Sequence, residues 1–320
     1  MLPIQLADVR RAAENIADIA CITPLKHSIH LSAKTQKNIY LKMETMQHTG
    51  AFKLRGAANV LKNLKDVHTV VTASSGNHGR AVAYVANQLG LKVIVCVTSL
   101  VPQNKIAAME QLGAQVIVHG DNQDVTTLKA QQIAKEQEIP FISAFDDLDV
   151  IAGQGTIALE ILQQRPEIDT IVTQLSGGGL AAGIALAAKA LKPSIKIIGV
   201  TIEHGAAMLE SMRAGRIVDV EEKPSIADAL TGPIPPDNQY TFNICNTLID
   251  DVVQVSDAQI KQAMVSALVD EKLVLEGGGA ATIAMLLQRE HDELLGENVA
   301  LICSGDNVSI EKLVGFYQQG

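Results

Sequence analysis

The feature that most restricts the fold of this chain is a regular alternation of short apolar runs with longer, alanine-rich segments. Predicted strands and the helices that follow them occupy 69–73 and 79–89, 92–97 and 103–112, 115–118 and 124–137, 170–175 and 179–191, and 196–201 and 205–214. Strands that alternate with helices of this length indicate right-handed βαβ units and parallel sheets. Unbroken apolar strands such as 94–97 and 300–303 suit sheets that helices cover on both faces. The sequence therefore predicts an α/β fold.

The remaining segments fit this fold class. A helical pattern at 7–18 is followed by a break at 23–25 and by a predicted strand at 38–43. The chain has 320 residues, of which 47% are hydrophobic, and this is enough for two domains or one large domain. We interpret the Gly- and Pro-punctuated segment 220–240 as a surface connection within a domain.

Charge and composition argue against several classes of function. The formal net charge is −9 and no Lys/Arg-rich run occurs, so neither nucleic acid nor an anionic membrane is expected as a partner. Aromatic residues make up only 3% of the chain, which argues against stacking platforms for single strands. No signal peptide and no membrane-spanning apolar stretch are recognised. We therefore expect a cytoplasmic protein.

The cysteines and histidines do not have the spacing of metal ligands. The four cysteines are far apart and form no CxxC pair, which is typical of reduced thiols in the cytosol. The histidines show no HExxH spacing.

Lys53 is the first candidate for chemistry. It lies in the segment 49–57 among Gly, Ala, Phe and Leu, whereas lysines are normally solvated surface cations. Removal from water disfavours the ammonium form and leaves a nucleophilic amine that can condense with an aldehyde. The alternative is a lysine at a helix start, with a buried stem and a charged end in water. The segment alone does not decide between these two interpretations.

A glycine-rich loop at 176–180 follows a predicted strand and opens the next helix. Glycines let the backbone turn tightly and present N–H groups, and the helix N-terminus adds its positive end, so this loop suits a phosphate. The run 177–182 also fits the dinucleotide fingerprint G-x-G-x-x-A, with Glu203 near the position of a ribose-binding acid. The run 153–158 fits the same pattern without a convincing strand before it. On this stretch alone, NAD is as good a ligand as a phosphate monoester.

Two polar loops follow other predicted strands. The loop 74–79, Ser-Ser-Gly-Asn-His-Gly, precedes a helix and suits a carboxylate. Ordinary N-capping is the alternative, but a cap needs one polar residue, whereas this loop has four polar side chains in five positions. Ser304 follows the last strand, at the edge where ligands bind in open α/β sheets, although a simple turn serine fits equally well.

One ligand would use all of these elements. Pyridoxal phosphate needs an amine for its aldehyde, an anion-binding loop for its phosphate, a partner for its ring nitrogen and a loop for the substrate carboxylate. A nicotinamide cofactor would leave Lys53 and the loop 74–79 without a role.

The motifs resemble the serine/threonine dehydratase family of pyridoxal-phosphate enzymes, the fold-type II group that includes serine racemase. The resemblance covers nearly the whole chain, through residues 23–25, Glu44, 49–57, 74–79, 152–156, 176–180, 276–280 and 304–307. Within that family, the stretches 71–80, 100–105 and 203–208 resemble the hydroxyectoine-utilisation dehydratases.

The resemblance implies a fold like that of tryptophan synthase β. Two α/β domains would each contain a mostly parallel, twisted sheet flanked by helices. The large domain would comprise 1–67 and 146–320, and the small domain 68–145. The cofactor would lie in the cleft between them.

The resemblance also implies two catalytic residues and a substrate loop. Lys53 would bind the cofactor aldehyde covalently and then act as the base on one face of the cofactor. Ser75 would be the acid or base on the opposite face. The substrate would bind the loop residues Ser74, Ser75, Gly76, Asn77 and His78.

The other residues carried over by motif would bind the cofactor. Phe52 would pack beside the ring, and Asn77 would hydrogen-bond its phenolic oxygen. Ser304 would face the pyridine nitrogen, and Glu276 would line the ring side of the pocket. The phosphate would be held by Ser176, Gly177, Gly178, Gly179 and Leu180.

The chain departs from the family pattern at several positions. Ser176 stands where relatives often have a fourth glycine, and Asp306 replaces the second glycine of the usual Ser-Gly-Gly-Asn turn. Some relatives bind a divalent cation through Glu-x-x-x-Ala-x-Asp. Here Glu203 matches, but Leu209 occupies the aspartate position and cannot coordinate a hard cation. We therefore expect no metal at that site.

The implied activity is that of an ammonia-lyase, or dehydratase. It would remove water from L-threonine or L-serine and give a 2-oxo acid and ammonia. The alternatives are an amino-acid racemase, a dehydratase for a hydroxyectoine-derived hydroxy amino acid, and a Rossmann dehydrogenase or non-catalytic cofactor-binding protein. The expected partners are a small amino-acid substrate and a second copy in a homodimer.

Overall fold

The computed structural model describes residues 2–319 and shows two separate sheets within that range. The strands are β1 Leu25–His27, β2 Asn38–Met43, β3 Thr69–Ala73, β4 Lys92–Val97, β5 Ala114–Val118, β6 Thr170–Gln174, β7 Lys196–Ile202, β8 Asp251–Val255 and β9 Asn298–Cys303. The helices are α1 Leu6–Asn15, α2 Ile29–Thr35, α3 Lys53–Asn63, α4 Asn77–Gln88, α5 Gln103–Gln111, α6 Gln123–Gln137, α7 Leu148–Gln164, α8 Gly179–Leu191, α9 Ala207–Ala214, α10 Thr241–Leu248, α11 Asp257–Ser266, α12 Gly277–Gln288 and α13 Ile310–Gln318.

The larger sheet has six strands in the order β1-β2-β9-β6-β7-β8. Only the β1–β2 pair is antiparallel, and the other pairs are parallel. β9 lies near the end of the chain but occupies the interior of the sheet, with β2 on one side and β6 on the other. Its last residues, Leu301, Ile302 and Cys303, are fully buried because helices cover both faces of this sheet.

The smaller sheet contains β3, β4 and β5, all parallel, and therefore lies within residues 69–118. One of its faces packs against α3 and α4 through residues such as Leu54, Val82 and Val95. The other face packs against α6 through Val71, Ile94 and Ile133. Helix α3 contacts both α4 and α7, so it joins the smaller sheet to the helices of the larger one.

The structure confirms the predicted α/β class with mostly parallel sheets flanked by helices. The strands at 38–43, 69–73 and 92–97 have the predicted bounds. The helix predicted at 7–18 ends earlier, at Asn15, because Ile16 leaves the helical conformation and the chain turns at 16–19. The run 153–158, which matched a dinucleotide pattern, lies inside helix α7 and forms no strand–loop–helix unit. No helix in residues 2–319 is long and apolar enough to cross a membrane.

Candidate active site

Lys53 is the first residue of helix α3, and its amine points into the protein. Nζ donates a hydrogen bond to the carbonyl oxygen of Ala144 at 2.6 Å. Burial lowers the pKa of Lys53 to about 8, because the ammonium form loses its hydration there. Lys53 thus starts a helix, as the alternative interpretation expects, but its amine is half-buried and bound to a backbone carbonyl, in surroundings that disfavour the ammonium form.

An ion-pair network fixes the first turn of α3. The guanidinium of Arg55 is 1% exposed and donates to Glu44 at 2.7 and 2.8 Å and to Glu160 at 2.6 and 2.9 Å. The buried amine of Lys42 donates to Glu160 and to the carbonyl of Thr23 at 2.7 Å. Glu44 follows β2 and Glu160 belongs to α7, so the network joins the start of α3 to the sheet and to its neighbouring helix.

The loop 74–79 follows β3 and begins helix α4 at Asn77. The Ser74 hydroxyl accepts a hydrogen bond from the backbone N–H of Gly76 at 3.2 Å, which forms a tight polar turn. Ser75 is half-buried, and its side chain has no hydrogen-bond partner among the described residues. The loop therefore presents a free hydroxyl and backbone N–H groups at a helix N-terminus, where an anion binds favourably.

His78 is buried directly behind this loop. Its Nε2 lies 3.1 Å from the carbonyl oxygen of Ile142, and because a carbonyl only accepts, Nε2 carries the proton. Burial, together with the charge of Lys53, lowers the pKa of His78 to about 3, so the imidazole is neutral. The ring is thus engaged in holding the segment that follows α6. Its predicted contact with the substrate stays a prediction.

Asn77 and Glu276 meet across the gap between the two sheets. The Asn77 Nδ2 donates to Glu276 Oε1 at 2.7 Å. Burial raises the pKa of Glu276 to about 7, and Asp228 and Asp306 raise it as well, whereas the hydrogen bond from Asn77 opposes the shift. Two residues that are 199 positions apart in the sequence are therefore direct neighbours.

The glycine-rich loop lies between β6 and α8. Gly178 has φ +91°, a left-handed backbone conformation that residues other than glycine rarely adopt. A Cβ atom on Gly177 would lie 2.6 Å from the ring of Phe145, so only glycine fits against this ring. Ser176 is half-buried and Leu180 is buried in the first turn of α8. The N–H groups at this helix start are available for an anion.

Ser304 follows β9 and is 5% exposed. Its carbonyl oxygen accepts from the backbone N–H of Phe52 at 3.0 Å, and Ala51 pairs with Gly305 in an antiparallel bridge. The end of β9 is thus attached to the residues that precede Lys53. The Ser304 hydroxyl has no hydrogen-bond partner within residues 2–319 and can serve an outside acceptor.

The segment 142–145 ties these elements together, although no signal in the sequence pointed to it. Ile142 contacts His78, Ala144 accepts from Lys53, and Phe145 packs on Gly177. These contacts are made largely by backbone atoms, which carry no residue-type signature. These contacts join the lysine segment, the loop 74–79 and the glycine-rich loop. Glu276 is joined to the loop 74–79 through Asn77, and Ser304 to the lysine segment through Phe52.

A comparison with protein families identifies the chain. The profile described as "Pyridoxal-phosphate dependent enzyme" matches residues 16–305. The chain belongs to the pyridoxal-phosphate dependent enzymes. The predictions of the family and of the cofactor are thereby confirmed, and the dinucleotide alternative for the glycine-rich loop is not supported.

Curated relatives and solved structures agree with this assignment. A putative threonine dehydratase of Sinorhizobium fredii is 41% identical, with 96% of this chain and 93% of that protein covered. The L-threonine ammonia-lyase of Thermotoga maritima is 36% identical, with 99% and 79% covered. Maize serine racemase has a TM-score of 0.92 at 32% identity, with 99% of this chain and 97% of that chain covered. A threonine deaminase from Solanum lycopersicum has a TM-score of 0.91 at 33% identity, with 98% and 91% covered.

The residues present fit pyridoxal phosphate. The amine of Lys53, with its pKa near 8, suits condensation with an aldehyde. The glycine-rich loop offers N–H groups to a phosphate, and the unpaired Ser304 hydroxyl offers a donor to a ring nitrogen. Asn77 uses one N–H for Glu276 and has a second for another acceptor.

Proposed function

We propose that this enzyme is an ammonia-lyase that removes water from a β-hydroxy amino acid, most simply L-threonine or L-serine. The observation that carries the proposal is the withdrawn amine of Lys53, held by Ala144 at the start of α3 with a pKa of about 8. The names of two relatives, a putative threonine dehydratase and an L-threonine ammonia-lyase, support the same reaction.

The proton transfers are assigned to the chain's own side chains. Bound pyridoxal phosphate supplies an electron sink that stabilises negative charge developing on the substrate Cα. Lys53 would hold the cofactor and, with its amine free once substrate is bound, would accept the Cα proton; its pKa of about 8 suits a base that works near neutral pH. The substrate carboxylate binds the N–H groups of the loop 74–79. The Cβ–O bond would then break, with the proton that Lys53 took from Cα passed to the leaving hydroxyl so that it departs as water. The released enamine would take up one water and hydrolyse to a 2-oxo acid and ammonia.

Ser304 would favour elimination over transamination when the cofactor is bound. Its hydroxyl would hold the ring nitrogen through a neutral hydrogen bond of about 1 kcal/mol, whereas a charged partner contributes about 1.5–3 kcal/mol. A carboxylate would keep the ring nitrogen protonated and make the ring a stronger electron sink. With Ser304, charge on Cα is less stabilised, and prompt loss of the β-hydroxyl is favoured.

Substitution of Lys53 by alanine tests the proposal. We expect Lys53→Ala to abolish release of 2-oxo acid while the protein stays folded, because no other amine lies at the start of α3. The assay should compare L-threonine, L-serine, threo-3-hydroxyaspartate and hydroxylated diaminobutyrate compounds, since the last group represents the hydroxyectoine-type alternative. Continued 2-oxo acid production by the variant would refute the role of Lys53.

A racemase is the second candidate, because solved structures of serine racemase and of an aspartate racemase align with nearly the whole chain. Ser75, with its unpaired hydroxyl, would be the acid or base on the face opposite Lys53. We expect Ser75→Ala to remove any formation of D-serine and to spare much of the elimination from L-serine. Chiral chromatography measures the D-serine, and release of pyruvate measures the elimination. If the unsubstituted enzyme forms D-serine faster than pyruvate, the racemase becomes the first candidate and the ammonia-lyase the second.

We also propose a division of the chain into two domains. The smaller sheet, within 69–118, supports a small domain at 68–145, and the larger sheet supports a large domain at 1–67 and 146–320. We further propose a homodimer that works in the cytoplasm. The four free cysteines are compatible with a reducing compartment.

A further inference from the structure

Four side chains form a hydrogen-bond relay beside the proposed cofactor site. The Arg80 guanidinium donates from Nη1 to Oδ1 of Asn307. Asn307 Nδ2 donates to Asn77 Oδ1 at 2.7 Å and to the carbonyl oxygen of Thr49 at 3.0 Å. Asn77 Nδ2 donates in turn to Glu276 at 2.7 Å. The relay alternates between α4, next to the smaller sheet, and loops of the larger sheet.

The orientation of the Asn307 amide is fixed by its neighbours. A guanidinium can only donate hydrogen bonds and a backbone carbonyl can only accept them. The amide oxygen of Asn307 must therefore face Arg80, and its nitrogen must face Thr49. An amide rotated by 180° would place oxygen against the Thr49 carbonyl and N–H groups against the guanidinium, so that both hydrogen bonds would be lost.

The backbone around Asn307 supports this arrangement. Gly50, next to Thr49, has φ +73°, and a Cβ atom there would lie 3.2 Å from Asn307 Oδ1 and 2.3 Å from Asp306 Oδ1. The N–H of Asp306 donates to the carbonyl of Gly50 at 3.0 Å. Asn307 thus lies against a position where glycine leaves space for the amide of Asn307.

Asn307 then fixes the orientation of Asn77. Because Asn307 presents an N–H group, the Asn77 oxygen must accept, and the Asn77 nitrogen must face the other way. One N–H of that nitrogen binds Glu276, and the second remains for a further acceptor. In the proposed function this acceptor is the phenolic oxygen of the cofactor ring.

We propose that Asn307 is a positioning residue for the cofactor, with Arg80 as its support. It sets the Asn77 amide so that a donor, and not an acceptor, faces the phenolic oxygen. This inference rests on the proposed function, because it needs a cofactor beside Asn77. Neither Asn307 nor Arg80 touches the reacting atoms in this scheme. Their effect passes through Asn77.

Asn307→Asp is the sharpest test, because it keeps the shape and removes the donor. The carboxylate still accepts from Arg80 but cannot donate to Asn77, so the Asn77 amide turns and its oxygen faces the cofactor. Loss of a hydrogen bond to a charged oxygen corresponds to about 10- to 100-fold weaker binding. We expect that loss in the dissociation constant for pyridoxal phosphate. We also expect absorbance of the loaded protein to move from the visible towards the near-ultraviolet, since the phenolic oxygen keeps its proton without a donor.

Four further variants complete the test. Arg80→Met should weaken cofactor binding less than Asn307→Asp does, because Thr49 still holds the Asn307 nitrogen. Arg80→Lys should keep the cofactor affinity of the unsubstituted protein, because lysine retains a donor. Asn246→Asp, which introduces the same charge at an exposed position of α10, should leave affinity and spectrum unchanged. Thermal unfolding of each cofactor-free variant separates a positioning role from general destabilisation. If Asn307→Asp fails to fold, Asn307→Ala takes its place.

The outcomes distinguish this inference from the proposed function. If the unsubstituted protein binds no pyridoxal phosphate at Lys53, the proposed function fails. If that protein binds the cofactor and releases 2-oxo acid, but Asn307→Asp and Asn307→Ala leave the affinity and the spectrum unchanged, the positioning role alone is refuted. A spectral shift in Asn307→Asp that Asn246→Asp does not show supports it.

Discussion

At the scale of single residues, Glu276 is a carboxyl group whose surroundings change its chemistry. It is 7% exposed and close to Asp228 and Asp306, and burial raises its pKa to about 7 from a usual 4.5. The folded protein therefore holds this proton more tightly than the unfolded chain. Stability falls as the pH rises from about 4.5 to about 7, and the full loss, up to about 3 kcal/mol, is present above that window.

Glu276→Gln should consequently stabilise the cofactor-free protein at pH 8 and change little at pH 4. Glutamine is neutral at every pH and its oxygen still accepts from Asn77, so only the cost of ionisation is removed. Thermal unfolding of both proteins across this range measures the effect. Glu290→Gln, at an exposed position, is the matched control. A stability difference that stays constant from pH 4 to pH 8 would contradict the buried-proton argument.

At the scale of elements, the position of the start of α3 depends on the buried ion pairs of Arg55. Arg55 is in the second position after Lys53 and is buried with Glu44 and Glu160 as its partners. Burial alone would lower the pKa of Arg55, but the two carboxylates outweigh it and raise the pKa. Removing one partner of a buried ion pair leaves an uncompensated charge and costs more than the pair itself contributes.

Glu44→Gln should therefore destabilise the protein by about 3 kcal/mol or more. The matched control is Glu210→Gln, which breaks an exposed pair with Arg213 whose atoms are also close, at 2.8 Å. That control should change stability by less than about 1 kcal/mol, because water screens exposed pairs. Urea unfolding compares the two. Similar losses in both variants would mean that burial of the Arg55 network does not matter.

The sequence predicts elements better than it predicts the contacts between them. Strand and helix bounds follow from periodicity, which is local. Where bounds were predicted, most agree with the structure to within two residues, but helices such as α7 and α12 had no predicted bounds. The loops 74–79 and 176–180 could be found because their composition is unusual. The segment 142–145 could not, because it acts through the carbonyls of Ile142 and Ala144, which every residue type possesses. Prediction of the relay at Asn307 would require the order of the strands in the sheet, because the relay joins positions 230 residues apart.

At the scale of the whole molecule, the two sheets differ in how well they are protected. β9 is an interior strand of the larger sheet with β2 and β6 beside it. β5 is an edge strand of the three-stranded smaller sheet, and its Val118 is 51% exposed. Because an opening costs less where fewer buried contacts are lost, the smaller sheet is the expected site of local unfolding.

Hydrogen exchange should show this difference directly. In the cofactor-free protein, amides of β5 should exchange faster than those of β9, whereas global opening alone would give both the same rate. Pyridoxal phosphate should slow exchange at both 74–79 and 176–180, because a single ligand contacts loops next to both sheets and stabilises their closed arrangement. Lys53→Ala, which lacks the covalent attachment, should show weaker protection at the same ligand concentration. Equal protection of β5 and β9 would contradict local unfolding of the smaller sheet. Protection by the ligand confined to 176–180 would contradict a site shared between the two sheets.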